Sequence, residues 1–189
     1  MKLLWIDTET GGLDPSRHSL LSLGLVATLP DGGQAVTEVL FRHPTYEVDA
    51  EAMAVNRIDL VRHHQQAREP QEAVRALEAF LTAHLAGPEK IHFAGHNVAF
   101  DIGFLMPFLR RHAPHLVDRF NHRTLDTMSL ALALQQAGVL PQGSMGLSAL
   151  LEHYGIHLPP QLRHTALGDA SATERLYHRM IADFRLARL

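Results

Sequence analysis

The sequence predicts an α/β fold in which helices flank a sheet. The first 41 residues contain three strand-like segments joined by short connections, which favour an antiparallel meander. From residue 50 onwards apolar residues recur at helical spacing, interrupted by two further compact strand candidates. No repeat, linker or low-complexity segment divides the chain of 189 residues. We therefore expect residues 1–189 to form one α/β domain.

Five segments have the composition of strands. Residues 2–6 form a short apolar run typical of a buried strand. The turn formers Pro30-Asp31-Gly32-Gly33 are a strong hairpin signal between the second and third strands. The predicted strands cover residues 2–6, 19–29, 34–41, 91–95 and 123–125.

Six segments show helical periodicity. The clearest begins at Pro70 and carries an apolar stripe on one face through Leu85. Another is capped by Asp126 or Thr127 and continues through Ala137. The predicted helices cover residues 50–60, 70–85, 100–112, 126–137, 146–154 and 167–186.

Composition indicates a globular chain in the cytoplasm. Hydrophobic residues make up 46% of the sequence and charged residues 20%, which is ordinary for a globular protein. No apolar run approaches the length of a membrane span, and a charge at Asp7 comes too early for a signal-peptide core. The absence of cysteine excludes disulfides, thiolate metal sites and cysteine nucleophiles.

The net charge and the spacing of the histidines each argue against one class of function. The formal charge of -3 argues against a protein that coats nucleic acid nonspecifically. If four carboxylates bind metal ions and are left out of the count, the net charge of the other residues is weakly positive. Fourteen histidines suggest zinc, but no His-Glu-x-x-His segment is present. Zinc is therefore not expected.

Asp7 and Glu9 are predicted to share a site. They stand two residues apart at the predicted end of the first strand, so their side chains leave the same face. This spacing lets two carboxylates bind one metal cluster. The alternative is a solvated acidic turn before Gly11 and Gly12.

Asp101, Asp169 and His164 extend this hypothesis. Asp101 and Asp169 are predicted near helix N-termini, where a negative charge also has a purely structural role. His164 is expected on a loop, and histidine is the residue type best suited to act as a general base near neutral pH. Asp126 is interpreted first as an N-cap, with a place near the metals as the alternative.

Three segments in order resemble the motifs of the DEDDh exonucleases, the DnaQ-like family with a ribonuclease H-like fold. They are Asp-Thr-Glu-Thr-Gly-Gly-Leu-Asp-Pro from residue 7, His-Asn-Val-Ala-Phe-Asp-Ile-Gly-Phe from residue 96, and His-x-x-x-x-Asp from residue 164. The resemblance spans residues 4 to about 180, and all five functional positions of the family are filled. It implies a mixed five-stranded sheet, with an antiparallel three-strand meander and two parallel strands.

The resemblance implies a two-metal site. Two Mg²⁺ or Mn²⁺ ions would be held by oxygen ligands that suit such hard cations, with Asp7 bridging them. The second ion would stabilise the leaving 3′ oxygen. The implied metal ligands are Asp7, Glu9, Asp101 and Asp169, and the implied catalytic residues are His164, as general base, and Glu9.

The resemblance also implies contacts to the 3′-terminal nucleotide. Leu13 would touch the base, while backbone groups of the first motif would meet the 3′ hydroxyl. Phe100 could stack on a base, whereas Phe104 has the spacing of a core residue. The implied substrate-binding residues are Thr8, Thr10, Gly11, Leu13, His96, Asn97 and Phe100.

The predicted function is metal-dependent 3′→5′ exonuclease activity on single-stranded nucleic acid, with DNA favoured and nucleoside 5′-monophosphates as products. One alternative is a proofreading subunit acting with a DNA polymerase, although the chain ends at Leu189 directly after its last helix and shows no polymerase-binding tail. An RNA-trimming exoribonuclease similar to RNase T is another, and a binder without catalysis is a third. Whether the chain forms a homodimer is left open, and no membrane association is expected.

Overall fold

The computed structural model describes residues 1–29 and 32–187 and contains the predicted α/β arrangement. Strands β1 (Lys2–Thr10), β2 (Leu20–Thr28) and β3 (Gln34–Leu40) form the antiparallel meander. Strands β4 (Ile91–Gly95) and β5 (Leu125–Asp126) run parallel to β1. The order across the sheet is β3-β2-β1-β4-β5. This confirms the predicted mixed five-stranded sheet.

The strand that carries the first motif is longer than predicted. β1 continues to Thr10 because β2 keeps pairing with it, placing Asp7 opposite Gly24 and Glu9 opposite Ser22. Asp7 and Glu9 therefore lie within a strand, and their expected position at its end was wrong. Their shared face, which depends only on the two-residue period, is unchanged.

Two other strand details differ from the sequence prediction. The fifth strand is only Leu125–Asp126, which begins two residues later and ends one residue later than the predicted 123–125. At the predicted hairpin turn, Pro30 and Asp31 lie outside the described residues. On either side of them, the Leu29 N–H donates to the Gly33 carbonyl at 2.8 Å, so the ends of the two strands are joined.

Eight α-helices occur among the described residues, and none of them has the length and apolar character to cross a membrane. A single-turn helix after the fourth one was not predicted. The helices are α1 (Ala50–Asn56), α2 (Leu60–Gln66), α3 (Pro70–His84), α4 (Val98–His112), α5 (Pro114–Val117), α6 (Thr127–Gln136), α7 (Leu147–His153) and α8 (Ala166–Leu186).

The helix predicted over residues 50–60 is present but ends early, at Asn56, and a second helix that was not predicted begins at Leu60. Arg57 has a left-handed backbone with φ 56°, which ends α1. Asp59 then caps α2, accepting hydrogen bonds from the backbone N–H groups of Val61 at 2.9 Å and Arg62 at 3.2 Å. Apolar spacing alone does not reveal such a break.

The two faces of β1 meet different helices. Leu4 and Ile6 belong to the core cluster with α3 and α4, whereas Trp5 packs with Ala170 of α8. Because side chains alternate along a strand, Asp7 and Glu9 face the α8 side. The same alternation directs Thr8 towards α4. A separate cluster joins α6, α7 and α8.

Candidate active site

Three of the four predicted carboxylates come together. Asp7 and Glu9 of β1 and Asp169 in the first turn of α8 each offer an oxygen, and these oxygens all lie within 4.8 Å of one another. Residues from opposite ends of the sequence thus form one group with the spacing of a cation site. We call Asp7, Glu9 and Asp169 the carboxylate cluster.

Close packing brings Asp169 to the strand. Gly24 of β2 faces the start of α8, where a Cβ would lie 2.2 Å from the Ala166 carbonyl oxygen. Gly168 is equally confined, since its Cβ would fall 1.8 Å from the carbonyl oxygen of Leu162. Thr165 caps the helix by accepting from the Gly168 N–H at 3.1 Å. Together these residues hold the first turn of α8 against the sheet.

Asp101 lies close to the carboxylate cluster but outside its 4.8 Å group. It is only 3% exposed, and the Thr8 hydroxyl donates to its Oδ1 at 2.7 Å. Because Thr8 points to the α4 side of β1, this bond ties Asp101 to that face. The Thr8 hydroxyl is therefore used by an acid, and its contact with substrate stays a prediction.

The four carboxylates repel one another in a poorly solvated region. Burial, then the charges of Asp101 and Asp169, raise the pKa of Asp7 well above its usual range. Burial and the charge of Asp169 raise the pKa of Glu9 to about 8. Burial raises the pKa of Asp101 to about 7. Burial also raises the pKa of Asp169, although the nearby His164 opposes this shift.

This charge arrangement fits a bound cation. Among residues 1–29 and 32–187, no ion pair involves any of the four acids, so their negative charge is not balanced by a salt bridge. A divalent ion would remove the repulsion that raises these pKa values. Carboxylate oxygens are also the ligands that hard cations prefer.

His164 stands beside the carboxylate cluster. It is half-buried, has a left-handed backbone with φ 57°, and lies near enough to Asp169 to oppose the rise in the pKa of that carboxyl group. His164 and Asp169 line one cavity of about 370 Å³ with residues of α7, Arg163 and His157. The predicted loop position of His164 agrees with the structure, since it precedes the cap of α8.

The residues predicted to bind substrate are placed unevenly around this region. Leu13 is 82% exposed, whereas Gly11 is buried and the Thr10 hydroxyl donates to the Gly12 carbonyl at 2.7 Å. Phe100 is partly buried with its ring 5.2 Å from that of Phe104. Phe104 itself is 4% exposed, as the core prediction required.

His96 and Asn97 lie at the end of β4, as predicted, but contact the α6 side. His96 Nδ1 lies 3.0 Å from the Thr127 hydroxyl, and burial lowers the pKa of His96. Asn97 begins α4 with a left-handed backbone, φ 58°, and its N–H donates to Asp126 Oδ1 at 2.8 Å. The same oxygen accepts from the Met128 N–H at 3.0 Å, so the predicted N-cap role of Asp126 is confirmed.

Gly24 and Thr165 are site-shaping residues that the sequence analysis missed. Glycine inside a strand is a known signal of close approach by another backbone. Threonine three residues before Gly168, at the start of a helical pattern, is a typical N-cap signal. Both signals were present in the sequence, but neither indicates which partner will approach.

Comparison with known proteins identifies relatives of several kinds. The chain is 28% identical over 177 residues to a PolC-type DNA polymerase III from Thermotoga maritima, covering 93% of this chain and 12% of the relative. It is 29% identical over 179 residues to a DNA polymerase III subunit epsilon-like protein from Rhodobacter capsulatus, covering 93% and 23%. Ribonuclease T from Wigglesworthia glossinidia brevipalpis is 26% identical over 182 residues, covering 91% and 80%. The chain thus spans less than a quarter of the two polymerase-related relatives.

A solved structure shares the fold. Escherichia coli Exonuclease I, crystallised with a dT13 oligonucleotide, superposes with a TM-score of 0.73 at 17% identity, covering 99% of this chain and 42% of that one. This likeness confirms the predicted ribonuclease H-like fold. A family model described as Exonuclease, RNase_T, matches residues 4–177. The chain therefore belongs to the RNase_T exonuclease family.

Proposed function

We propose that this chain is a metal-dependent 3′→5′ exonuclease of the DEDDh subgroup. It would hydrolyse the terminal phosphodiester bond of single-stranded nucleic acid, with DNA favoured, and release nucleoside 5′-monophosphates. The observation that carries the proposal is the carboxylate cluster with its oxygens within 4.8 Å, next to His164. Membership of the exonuclease family supports it.

The carboxylate cluster and Asp101 would hold two divalent ions, Mg²⁺ or Mn²⁺. Such ions supply Lewis-acid stabilisation of phosphate oxygens and make bound water more acidic. Asp7 is the best candidate for a shared ligand, because its pKa responds to Asp101 on one side and Asp169 on the other. The Thr8 hydroxyl would keep the Asp101 carboxylate oriented.

His164 would act as the general base. The cavity that His164 and Asp169 line would admit the attacking water, and the imidazole of His164 would accept its proton. The loop before α8 carries the histidine, while the Thr165 cap fixes the helix behind it. Proton transfer by such a group contributes about 10²- to 10⁴-fold to rate.

The residues at the end of β1 and in the loop that follows it would receive the terminal nucleotide. Leu13, at 82% exposure, offers an apolar side chain to a base. Thr10 and Gly11 would present backbone groups near the 3′ hydroxyl, and Phe100, His96 and Asn97 would border the same region. The Exonuclease I structure with dT13 supports a single strand as the substrate class.

The test is a product-resolved digestion of matched single-stranded DNA, duplex DNA and RNA, each labelled at the 5′ end, with Mg²⁺ or Mn²⁺. We expect wild type to shorten single strands stepwise from the 3′ end. Asp7→Asn and His164→Ala should each reduce the rate at least about 100-fold. His122→Ala, which changes an exposed histidine, is the control. Undiminished digestion by both site variants would refute the proposal.

A second candidate is a proofreading role with a DNA polymerase. Two relatives that match more than nine-tenths of this chain are polymerase III proteins. If this role applies, a DNA polymerase should co-purify with the chain and stimulate digestion of a mismatched 3′ end. An RNA-trimming role is favoured instead by ribonuclease T, of which the chain covers 80%. Faster digestion of RNA than of DNA in the matched assay would select that role.

A further inference from the structure

A second cavity, of about 390 Å³, lies beside the loop that follows β1. It is bounded by that loop, by the adjoining ends of β2 and β3, and by the C-terminal half of α4. Its floor is apolar: Leu20, Phe41 and Phe104 are each 6% exposed or less. It shares no residue with the carboxylate cluster, so its chemistry has to be considered by itself.

The rim of this cavity is cationic. Arg42, His43, Arg111 and His112 line it, and its described lining contains no aspartate or glutamate. Burial, then the charges of Arg111 and His43, lower the pKa of His112, so the two arginines supply the positive charge of the rim. We call this feature the Arg42–Arg111 pocket.

Both arginines of the pocket have N–H donors without a partner among the described residues. Arg111 is exposed and forms no ion pair within the described part of the chain. Arg42 uses Nη1 for Glu69 at 3.3 Å, but its buried Nε has no hydrogen-bond partner among the described residues. Guanidinium groups of this kind bind phosphate oxygens in a bidentate manner.

The pocket and the carboxylate cluster lie at the same end of the sheet. Thr10, at the end of β1, pairs with Leu20, and Leu40, at the end of β3, pairs with Ser22. Two strand spacings separate β1 from β3, or about 10 Å. Helix α4 also spans the two sites, since Asp101 and Arg111 are ten residues apart, about 15 Å along the axis. A few nucleotides of single strand cover such a distance.

We propose that the Arg42–Arg111 pocket binds a nucleotide of the substrate strand a few positions upstream of the 3′ end. The phosphate would lie on the guanidinium groups of Arg42 and Arg111, and the base would lie on the apolar floor. This inference rests on the proposed function for its substrate. A nucleotide joins a phosphate group to a flat base that can stack. It therefore matches a pocket with a cationic rim and an apolar floor.

Binding is measured first without catalysis. Anisotropy of labelled dT13 is followed in chelator, so that no strand is cut, for wild type, Arg111→Ala and Arg42→Ala. Arg110→Ala is the matched control, because Arg110 is the neighbouring exposed arginine on α4 and does not line the pocket. We expect each pocket variant to weaken dT13 binding by about fivefold or more. The slope of log affinity against log salt should fall by roughly 0.7 for each phosphate that the variant no longer binds.

Kinetics then locate the pocket on the strand. With Mg²⁺, Arg111→Ala should raise the KM for dT13 while leaving kcat unchanged, and Arg111→Lys should recover part of the loss. For dT2, whose single internucleotide linkage is too short to reach the pocket from the 3′ site, KM should stay within about twofold of wild type. A merely structural role for Arg111 would affect both substrates equally.

Other results would overturn the inference. Equal dT13 binding by Arg111→Ala and Arg110→Ala would do so. Calorimetry with dTMP and inorganic phosphate separates the two sources of phosphate: loss of dTMP binding in Arg111→Ala with unchanged dT13 binding would show a site for free nucleotides. If wild type cuts no strand with metal, the proposed function fails, whereas the chelator measurement still reports on the pocket.

Discussion

Gly24 of β2 lies against Ala166 at the start of α8, so close that a Cβ at position 24 would be 2.2 Å from the Ala166 carbonyl oxygen. Gly24 is also the residue paired with Asp7 across the sheet. Three residues after Ala166 comes Asp169, the third member of the carboxylate cluster. The approach of one backbone to another therefore determines how near Asp169 comes to Asp7.

Gly24→Ala should damage both stability and metal binding. The new methyl group has to push back the first turn of α8, and overpacking of this kind costs about 1–3 kcal/mol. Moving Asp169 away from Asp7 should weaken Mn²⁺ binding about tenfold or more. Urea unfolding and calorimetric titration measure the two effects. Gly143→Ala is the control, because a Cβ there meets nothing within 4 Å.

Thr8→Val should alter the site through Asp101. The substitution removes the hydroxyl that donates to the buried Asp101 carboxylate at 2.7 Å. Hydrogen bonds to charged groups contribute about 1.5–3 kcal/mol, and loss of this one should raise the pKa of Asp101 further. Metal binding in Thr8→Val should therefore need a higher pH than in wild type.

Thr10→Val is the matched control for that experiment. Thr10 is as buried as Thr8 and donates to the Gly12 carbonyl, also at 2.7 Å, so its loss costs a comparable hydrogen bond without touching an acid. Calorimetric titration with Mg²⁺ across pH should show a displaced profile for Thr8→Val alone. The same displacement in both variants would contradict the role given to Thr8.

Metal should stabilise the protein more at pH about 8 than at pH about 6. The pKa of Glu9 is raised to about 8 and that of Asp101 to about 7, well above the values near 4 of an unfolded chain. Without metal, protonation of these two carboxyl groups favours the folded state. Their contribution to the free energy of unfolding is complete below the pKa values of the unfolded chain. It is lost as the pH rises through the pKa values of the folded protein. At pH about 8 a bound metal ion offsets this loss, because it neutralises the ionised carboxylates. Near pH 6 the metal ion must first displace protons from them, so it binds more weakly.

The measurement is the increase in Tm on adding Mg²⁺ or Mn²⁺ at the two pH values. In Glu9→Gln the increase should be smaller and should differ less between them, because one of the groups that exchange protons for metal is gone. An equal increase in wild type at both pH values would show that these carboxylates do not hold the ion.

Asp126→Ala should lower stability by about 1–2 kcal/mol, because α6 loses its N-cap. The same side chain also accepts from the Asn97 N–H, which joins the end of β4 to α6. Asp126→Asn keeps an acceptor oxygen and should stay close to wild type in urea unfolding and in nuclease rate. A large fall in rate for Asp126→Asn at unchanged stability would instead place Asp126 among the metal-binding groups. Asp59→Ala, which removes the cap of α2, is the control for capping far from the site.

Much of the fold could be predicted because its signals are local. The meander follows from three short strand patterns with turn formers between them, and most helix bounds agree with the periodicity to within two residues. The errors arose where one residue or a long-range partner overrides the pattern. Arg57 ends a helix by its backbone conformation, and β2 extends β1 to Thr10 by pairing with polar residues.

For the candidate site, the sequence by itself determined which residue types are available and that Asp7 and Glu9 share a face, because strand alternation does not depend on the rest of the fold. Only the tertiary structure decided that Asp169 joins them while Asp101 is held by Thr8, and that Arg42 and Arg111 border one cavity. The reason is physical: these relationships depend on how closely α4 and α8 approach the sheet. That approach is set by packing between residues far apart in the chain, such as Gly24 and Ala166.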